Sequence, residues 1–259
     1  MIKFFRKIRY DLLEKNKTGK YFKYAIGEIV LVVIGILIAL SLNNWKKELD
    51  NHGEEMRILS GLKQEFEMNL MEVNRNIKLN TSALESNVDL LYHIRTEDPF
   101  NNQRYVDSLL YHVVGGTFDA QMGLINEVIS SGKLSFIKDS ELRNRLTSVS
   151  GMLNNAEEDY EIRNNYYMEQ IVPYLSKYFQ LVNQEQYMNF SSWSETYKTR
   201  KLSESPFKAK YDEIDLLELE NLIAMQKLNN DFVNLNEFKL RTFFEETLEI
   251  INNNLEPNK

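Results

Sequence analysis

The chain has 259 residues, a net charge of −7, 43% hydrophobic content, no cysteine and three histidines. This length and hydrophobicity allow one domain, or two small ones, with a true core. The absence of cysteine excludes disulfides, thiolate catalysis and metal sites with cysteine ligands. Ten glycines and four prolines are too few for a β-sandwich, a barrel or a glycine-looped nucleotide fold, so we expect an all-α protein.

The charge is distributed unevenly along the chain. Residues 1–23 have a net charge of +6, and the remaining residues have a net charge of −13. Binding to nucleic acid depends on a basic excess over a protein surface. The acidic balance of the longer part therefore predicts no nucleic-acid partner.

An apolar run follows the basic segment. Residues 25–42 read AIGEIVLVVIGILIALSL, with only Glu28 and Ser41 polar. As a helix, residues 24–45 would be about 32 Å long, which is enough to cross the hydrocarbon core of a bilayer. Tyr24 and Trp45 flank the run, and aromatic side chains favour the headgroup region. We therefore predict one transmembrane helix over residues 24–45, with the lipid bilayer as a partner.

The basic residues before the run determine the predicted topology. Short flanking segments rich in Lys and Arg stay in the cytoplasm. We therefore expect an inner-membrane protein with a basic cytoplasmic segment at residues 1–23, a juxtamembrane linker at 46–53, and a periplasmic domain at 54–259. A cleaved signal peptide is the alternative, because residues 39–41 resemble a cleavage site. The apolar run, however, is longer than the roughly 7 to 15 residues of a typical signal peptide.

The same region resembles a known family. The sequence YAIGEIVLVVIGILIALSLNNW is preceded by MIKFFRKIR and followed later by ISSGKLSFIKDSELR. These segments are similar to bacteroidete single-anchor membrane proteins that are classed only as a domain of unknown function. The resemblance covers nearly the whole chain. It implies a helical inner-membrane protein, and it brings no known activity and no catalytic residues.

Beyond residue 53, apolar residues recur at helical spacing. Shorter helices are predicted at about 105–114, 123–131 and 140–171, and a second long helix at about 212–255. His52-Gly53 would be a break before the first long helix. The sequence thus predicts an antiparallel helical bundle over residues 54–259 with two long helices. Ten positions are predicted to form the buried face of the first one: Leu59, Leu62, Phe66, Leu70, Val73, Ile77, Thr81, Leu84, Val88 and Leu91.

The sequence contains no recognisable catalytic or metal-binding motif. His52, His93 and His112 do not form an HExxH pair. Residues 131–133 read SGK but lack the first Gly and the final Ser or Thr of a phosphate-binding loop. No GxSxG elbow is present. We therefore predict a protein that is not an enzyme, with no catalytic residue, no metal site and no cofactor.

Within the apolar run, Glu28 shares one helical face with Gly35 and Ala39. A carboxyl group in a membrane normally faces a partner, and small residues let helices approach closely. We predict that these three residues mediate association between membrane helices. The alternative is that the Glu28 side chain snorkels to the cytoplasmic interface.

Four tyrosines recur at helical spacing in the second half of the chain: Tyr160, Tyr167, Tyr174 and Tyr178. A tyrosine joins an apolar ring to a polar hydroxyl, so such a group can form a surface for a partner or ligand. The alternative is one face of the bundle with hydroxyls at its rim. The segment ISSGKLSFIK has two similar interpretations, a docking loop or a corner whose apolar residues fill the bundle.

These features favour a non-enzymatic protein. Our first hypothesis is a membrane-anchored helical scaffold or accessory subunit of an envelope complex, which forms homo-oligomers or binds another envelope protein. The alternative is an extracytoplasmic sensor or ligand-binding module that signals through its anchor. A sensor needs a cytoplasmic output, and we expect residues 1–23 to be too short for an output domain.

Overall fold

A computed structural model describes residue 10, residues 18–187 and residues 202–256. Every regular element in these ranges is helical, which confirms the predicted all-α class for the described part of the chain. A π-helical turn at Tyr167–Ile171 joins two of the α-helices, and 3-10 turns lie at Lys133–Phe136, Leu181–Tyr187 and Tyr211–Glu213. The α-helices are α1 at Thr18–His93, α2 at Gln103–Tyr111, α3 at Gly123–Ser130, α4 at Ser140–Tyr166, α5 at Val172–Tyr178 and α6 at Leu216–Leu255.

The chain divides into two compact units, Met1–Ile58 and Leu59–Lys259. Helix α1 contributes residues to both, and residues 46–53 are helical. The expected break at His52-Gly53 is therefore absent. One glycine inside a helix costs about 1 kcal/mol relative to alanine, which is too little to interrupt a long helix.

In the first unit, α1 carries the apolar run. An 18-residue window of this helix has a mean hydropathy of 2.7, and none of the window is buried. Its length and composition allow it to cross a membrane. Among the helices that the structure describes, it is the one that meets these criteria.

In the second unit, α1 packs along α6. Higher-numbered residues of α1 contact lower-numbered residues of α6, so the two helices run in opposite directions. Helix α4 packs on α6 as well. Two contacts between α1 and α6 fix their relative direction, Asn80 with Glu237 and Phe66 with Phe244, and Arg95, just beyond α1, pairs with Glu220.

The buried face of α1 differs from the predicted one. Five of the ten predicted positions are only half-buried: Leu70, Thr81, Leu84, Val88 and Leu91. The other five are buried as predicted: Leu59, Leu62, Phe66, Val73 and Ile77. The prediction followed hydrophobicity, whereas part of the true face is polar. Eleven of the buried positions, the last just beyond α1, follow a seven-residue repeat: Leu59, Leu62, Phe66, Asn69, Val73, Asn76, Asn80, Ala83, Asn87, Leu90 and Ile94.

A local signal marks the start of α4, whereas the helical path runs past the predicted end at about residue 171. The Asp139 carboxylate accepts a hydrogen bond from the Leu142 N–H at 2.9 Å, as expected of a residue that caps a helix. Pro173 lies in the first turn of α5, where a proline sacrifices no hydrogen bond. The helical path therefore continues past Pro173 after the π-helical turn.

Candidate functional site

The connection between α2 and α3 lies along α1. Residues 115–122 form no regular element. We call residues 113–125 the clamped segment, because side chains of α1 bind its backbone at three levels. Asn87 donates to Val113 O at 3.0 Å, Asn69 bonds both backbone groups of Gln121, and Glu65 accepts from Leu124 N at 2.7 Å and Ile125 N at 3.1 Å.

The spacing of these contacts shows that the clamped segment is extended up to Gln121. Asn87 and Asn69 are 18 residues apart, or about 27 Å along a helix. Val113 and Gln121 cover this distance in 8 steps, about 3.4 Å for each residue and close to the rise of a β-strand. Residues 113–121 are therefore a single strand-like chain laid against a helix.

The buried asparagines of α1 supply what a neighbouring strand would supply in a sheet. Backbone N–H and C=O groups in the interior need partners, and the backbone of a helix has none to offer along its length. An asparagine carries both a donor and an acceptor. Asn69 uses both, with its Nδ2 at 2.8 Å from Gln121 O and its Oδ1 at 2.7 Å from Gln121 N. This accounts for polar residues at core positions.

Two glycines let the clamped segment approach α1 closely. A Cβ at Gly115 would lie 1.8 Å from Asn80 Oδ1, and one at Gly116 would lie 2.7 Å from Asn76 Oδ1. Real Cβ atoms do not approach other atoms this closely. At Gly115 the Cβ would also lie 3.0 Å from the Asn80 Cα, so this position requires a glycine by contact.

A buried charged network joins the clamped segment to α4 and α6. Arg163 is fully buried and donates to Gly116 O at 2.8 Å and to Asn80 Oδ1 at 2.7 Å. Asn80 in turn donates to Glu237 Oε1 at 2.7 Å, and the Tyr160 hydroxyl donates to the same oxygen at 2.6 Å. Asn80 thus bridges a buried cation and a buried carboxylate.

Burial dominates the electrostatics of this network. It raises the pKa of Glu237, while the hydrogen bonds from Tyr160 and Asn80 and the charge of Arg163 act in the opposite direction. Burial also lowers the pKa of Arg163 and raises that of the Tyr160 phenol. The phenol therefore stays protonated and serves as a donor at neutral pH.

A cavity of about 460 Å³ opens between residues 117–122 of the clamped segment and α4. Phe118 and Ala156 on its wall are buried. Three exposed carboxylates, Asp119, Glu157 and Glu161, also line it, and no Lys or Arg does. None of the three pairs with a basic residue in the described ranges. We call this cavity the acidic groove.

The four predicted tyrosines do not share one exposed surface. Tyr160 and Tyr174 are 4% and 3% exposed, and the Tyr174 hydroxyl donates to Asp215 O at 2.9 Å. Tyr167 and Tyr178 are half-buried against the apolar core. Phenol hydroxyls that find partners inside the fold are unavailable outside it. The placement agrees with the alternative interpretation, a face of the helical core.

The ISSGKLSFIK segment is placed as a corner between α3 and α4. Gly132 has a φ of 76°, a left-handed conformation that favours glycine. Ile137 is 1% exposed, and Leu134 and Phe136 are half-buried. Its apolar residues therefore pack inward.

The three predicted membrane-helix residues lie on α1 in the first unit. Gly35 and Ala39 are exposed, and Glu28 is partly buried. A methyl group at Gly35 would meet no atom within 4 Å. The same holds for Gly27 and Gly53, so this open surface does not distinguish the predicted face from the rest of the helix.

Apart from Tyr160, which was predicted as part of a partner surface, the sequence prediction missed the residues of the clamp and of the charged network. Asn69, Asn76, Asn80 and Asn87 fall on the seven-residue repeat of α1, so their spacing was a usable signal. Arg163 gave no comparable signal, because it sits among other polar residues of α4.

Comparison with known proteins identifies a family. No curated protein and no solved structure matches the chain. The model of DUF6090, described as a family of unknown function, matches residues 28–175, which is more than half of the chain. This range includes the clamped segment, the asparagines of α1 that bind it, and Arg163. The chain therefore belongs to the DUF6090 family of unknown function.

Proposed function

We propose that this protein is a membrane-anchored helical scaffold, or accessory subunit of an envelope complex, that forms homo-oligomers. In this proposal the N-terminus is cytoplasmic, α1 crosses the inner membrane, and a helical bundle over residues 54–259 lies in the periplasm. The charge of +6 over residues 1–23 supports the orientation. The exposed apolar window of α1 supports the anchor, and the opposed directions of α1 and α6 support the bundle.

An exposed apolar stripe on α6 is the observation that supports self-association. Met225, Leu228, Phe232 and Leu235 are 46%, 45%, 51% and 51% exposed. Their spacing of three and four residues puts them on one helical face. That face lies about half a turn from the buried residue Asn230. We call these four residues the α6 stripe.

A second copy of this chain is the partner that the surroundings of the α6 stripe favour. Lys227 and Asp231 beside it pair with each other at 2.7 Å, so this flank presents no excess charge to repel an identical surface. Anchoring in one membrane confines the copies to one surface and raises their effective concentration. Four side chains cover less than the roughly 800 Å² per partner of a standard interface. The membrane-helix face of Glu28, Gly35 and Ala39 would supply further contact.

Site-directed crosslinking tests the proposal. The chain has no cysteine, so Leu228→Cys introduces a single thiol. A short bismaleimide added to membranes that contain this variant should yield a crosslinked dimer. Glu158→Cys, an exposed position on α4, is the control and should yield little dimer. Equal crosslinking at both positions would contradict the proposal.

A charge placed in the stripe gives an independent measurement. Phe232→Glu should shift the full chain in mild detergent toward the monomer in sedimentation. Ile162→Glu on α4 is matched to it, because Ile162 and Phe232 are both 51% exposed. An unchanged oligomeric state in Phe232→Glu would show that the α6 stripe is not the interface.

A further inference from the structure

The clamped segment presents one backbone edge to α1 and the other to α4. Backbone groups of successive residues in an extended chain point to opposite edges. The groups of Gln121 point to α1, where Asn69 binds them. Gly116 points to α4, where Arg163 binds its C=O.

On the edge that faces α4, hydrogen bonding is incomplete. The backbone N–H of Phe118 interacts with the Tyr160 hydroxyl. By alternation, Ala120 faces the same edge as Gly116 and Phe118. The N–H and C=O groups of Ala120 form no hydrogen bond with any residue that the structure describes. An extended edge with unpaired groups is the kind of surface to which another strand adds.

This incomplete edge borders the acidic groove. Ala120 and Phe118 both line the cavity, together with Asp119, Glu157 and Glu161. Its volume of about 460 Å³ lies within the usual range for binding pockets. Arg163 is the nearest cation along α4, but it is fully buried and bonded to Gly116 O and Asn80 Oδ1. The exposed carboxylates therefore lack a cation on their own wall.

We propose that the acidic groove binds an extended, basic segment of a partner protein, which adds as a strand beside residues 117–121. The free backbone groups of Ala120 and the C=O of Phe118 hydrogen-bond to the backbone of the added strand. Lys or Arg side chains of the partner reach Asp119, Glu157 and Glu161. Charge complementarity selects this partner over a second copy, because residues 24–259 carry a net charge of −13.

The inference goes beyond the proposed function, since it names the chemistry of a partner. It does not require self-association through the α6 stripe. The Phe232→Glu variant therefore separates the two, because loss of the oligomer in that variant should leave binding at the acidic groove intact.

Peptide binding to the full chain in non-ionic detergent tests the charge requirement. The probe is a fluorescent ten-residue peptide of alternating lysine and valine, followed by anisotropy. The Glu157→Gln/Glu161→Gln variant should weaken its Kd by about tenfold. Glu158→Gln/Glu169→Gln removes the same charge from exposed residues outside the groove and should change Kd less than about twofold. Equal effects of the two double variants would overturn the proposal.

A second pair of probes tests strand addition. A peptide of the same sequence with N-methyl groups on alternate amides keeps its charge but cannot pair along one edge. We expect its Kd to be about tenfold weaker, in line with the loss of hydrogen bonds. Equal binding of the methylated peptide, or displacement of the parent peptide by an equal concentration of spermidine, would mean that the groove takes any cation. Either result would overturn the proposal.

Discussion

Asn69 of α1 binds both backbone groups of Gln121, donating to its C=O at 2.8 Å and accepting from its N–H at 2.7 Å. In a β-sheet a neighbouring strand would make these two bonds. Here one side chain makes them, and the helix that carries it becomes the support for an extended chain. The same relationship explains why α1 keeps polar residues at core positions.

Asn69→Ala should lower the free energy of unfolding by about 2 to 4 kcal/mol, because it leaves two backbone groups of Gln121 without partners. Chemical denaturation of the full chain in detergent would measure the change. Asn252→Ala, at an exposed position of α6, should change stability by less than about 0.5 kcal/mol. If Asn69→Ala lowers the free energy of unfolding as little as Asn252→Ala does, the hydrogen bonds of Asn69 to Gln121 contribute little to stability.

Gly115→Ala should destabilise the protein by more than about 2 kcal/mol, because its Cβ would collide with Asn80, whose Cα is fixed in α1. Gly151→Ala is the matched control. Gly151 lies inside α4 with no atom within 4 Å of a built Cβ, so alanine there should stabilise the helix by about 1 kcal/mol. Thermal melts of the two variants should therefore shift in opposite directions.

Arg163→Met should lower the free energy of unfolding by about 3 to 5 kcal/mol, because it leaves Glu237 as an uncompensated buried charge and Gly116 O without its donor. The Arg163→Met/Glu237→Gln double variant should lose less stability than the sum of the losses in the two single variants, because Glu237→Gln removes the uncompensated charge. A double-mutant cycle in denaturant measures the coupling.

An exposed ion pair provides the comparison for Arg163. Arg75 pairs with Glu72 at 2.7 Å on the surface of α1. Arg75→Met should cost at most about 1 kcal/mol. If Arg163→Met and Arg75→Met lower the free energy of unfolding by similar amounts, the buried network contributes no more to stability than a surface ion pair.

Asp107→Asn should stabilise the protein at neutral pH but not in acid. Asp107 is buried in α2, and burial raises its pKa above the ordinary value of 3.8. The negative charge of Glu204 acts in the same direction, against the hydrogen bonds from Asn183 and Gln103. The folded state therefore binds the proton more tightly than the unfolded state does.

The sign of the pH dependence follows from this raised pKa. The contribution of Asp107 to stability is fully present below the unfolded pKa and is lost as the pH rises through the folded pKa. Asparagine keeps the neutral form at every pH. Denaturation at pH 7 should show a higher free energy of unfolding for Asp107→Asn than for the parent, and the difference should disappear near pH 3.5. A difference that does not depend on pH would contradict the shift.

Gly35→Leu should weaken self-association by about 1 to 2 kcal/mol, because its side chain would block close approach of a second membrane helix. Val33→Leu on another face of the same helix is the control and should have little effect. The yield of crosslinked dimer in membranes, formed through an introduced cysteine, measures self-association of both variants. Should Gly35→Leu associate as well as Val33→Leu, the face shared by Glu28, Gly35 and Ala39 is not a contact surface.

Local sequence determined which residues become helical and where several helices begin or end. Apolar spacing predicted α1 and α6, because a helix repeats its face every three to four residues regardless of what it packs against. The Asp139 cap acts on an N–H only three residues away, so it too is readable from the chain. The apolar run and the basic residues before it are likewise local properties, which is why a candidate membrane helix was predictable.

Tertiary structure decided which face of α1 is buried and where the groove lies. Asn80 meets Arg163 and Glu237 across 83 and 157 residues of sequence, and the half-buried Leu70 and Thr81 yield core positions to Asn69 and Asn80. Hydrophobicity alone predicts the opposite choice. A buried asparagine is stable only when it forms hydrogen bonds with other groups in the core. Here these partners come from distant parts of the sequence, so the local sequence does not predict them. The position of the clamped segment, and therefore of the acidic groove beside it, is a property of the folded chain.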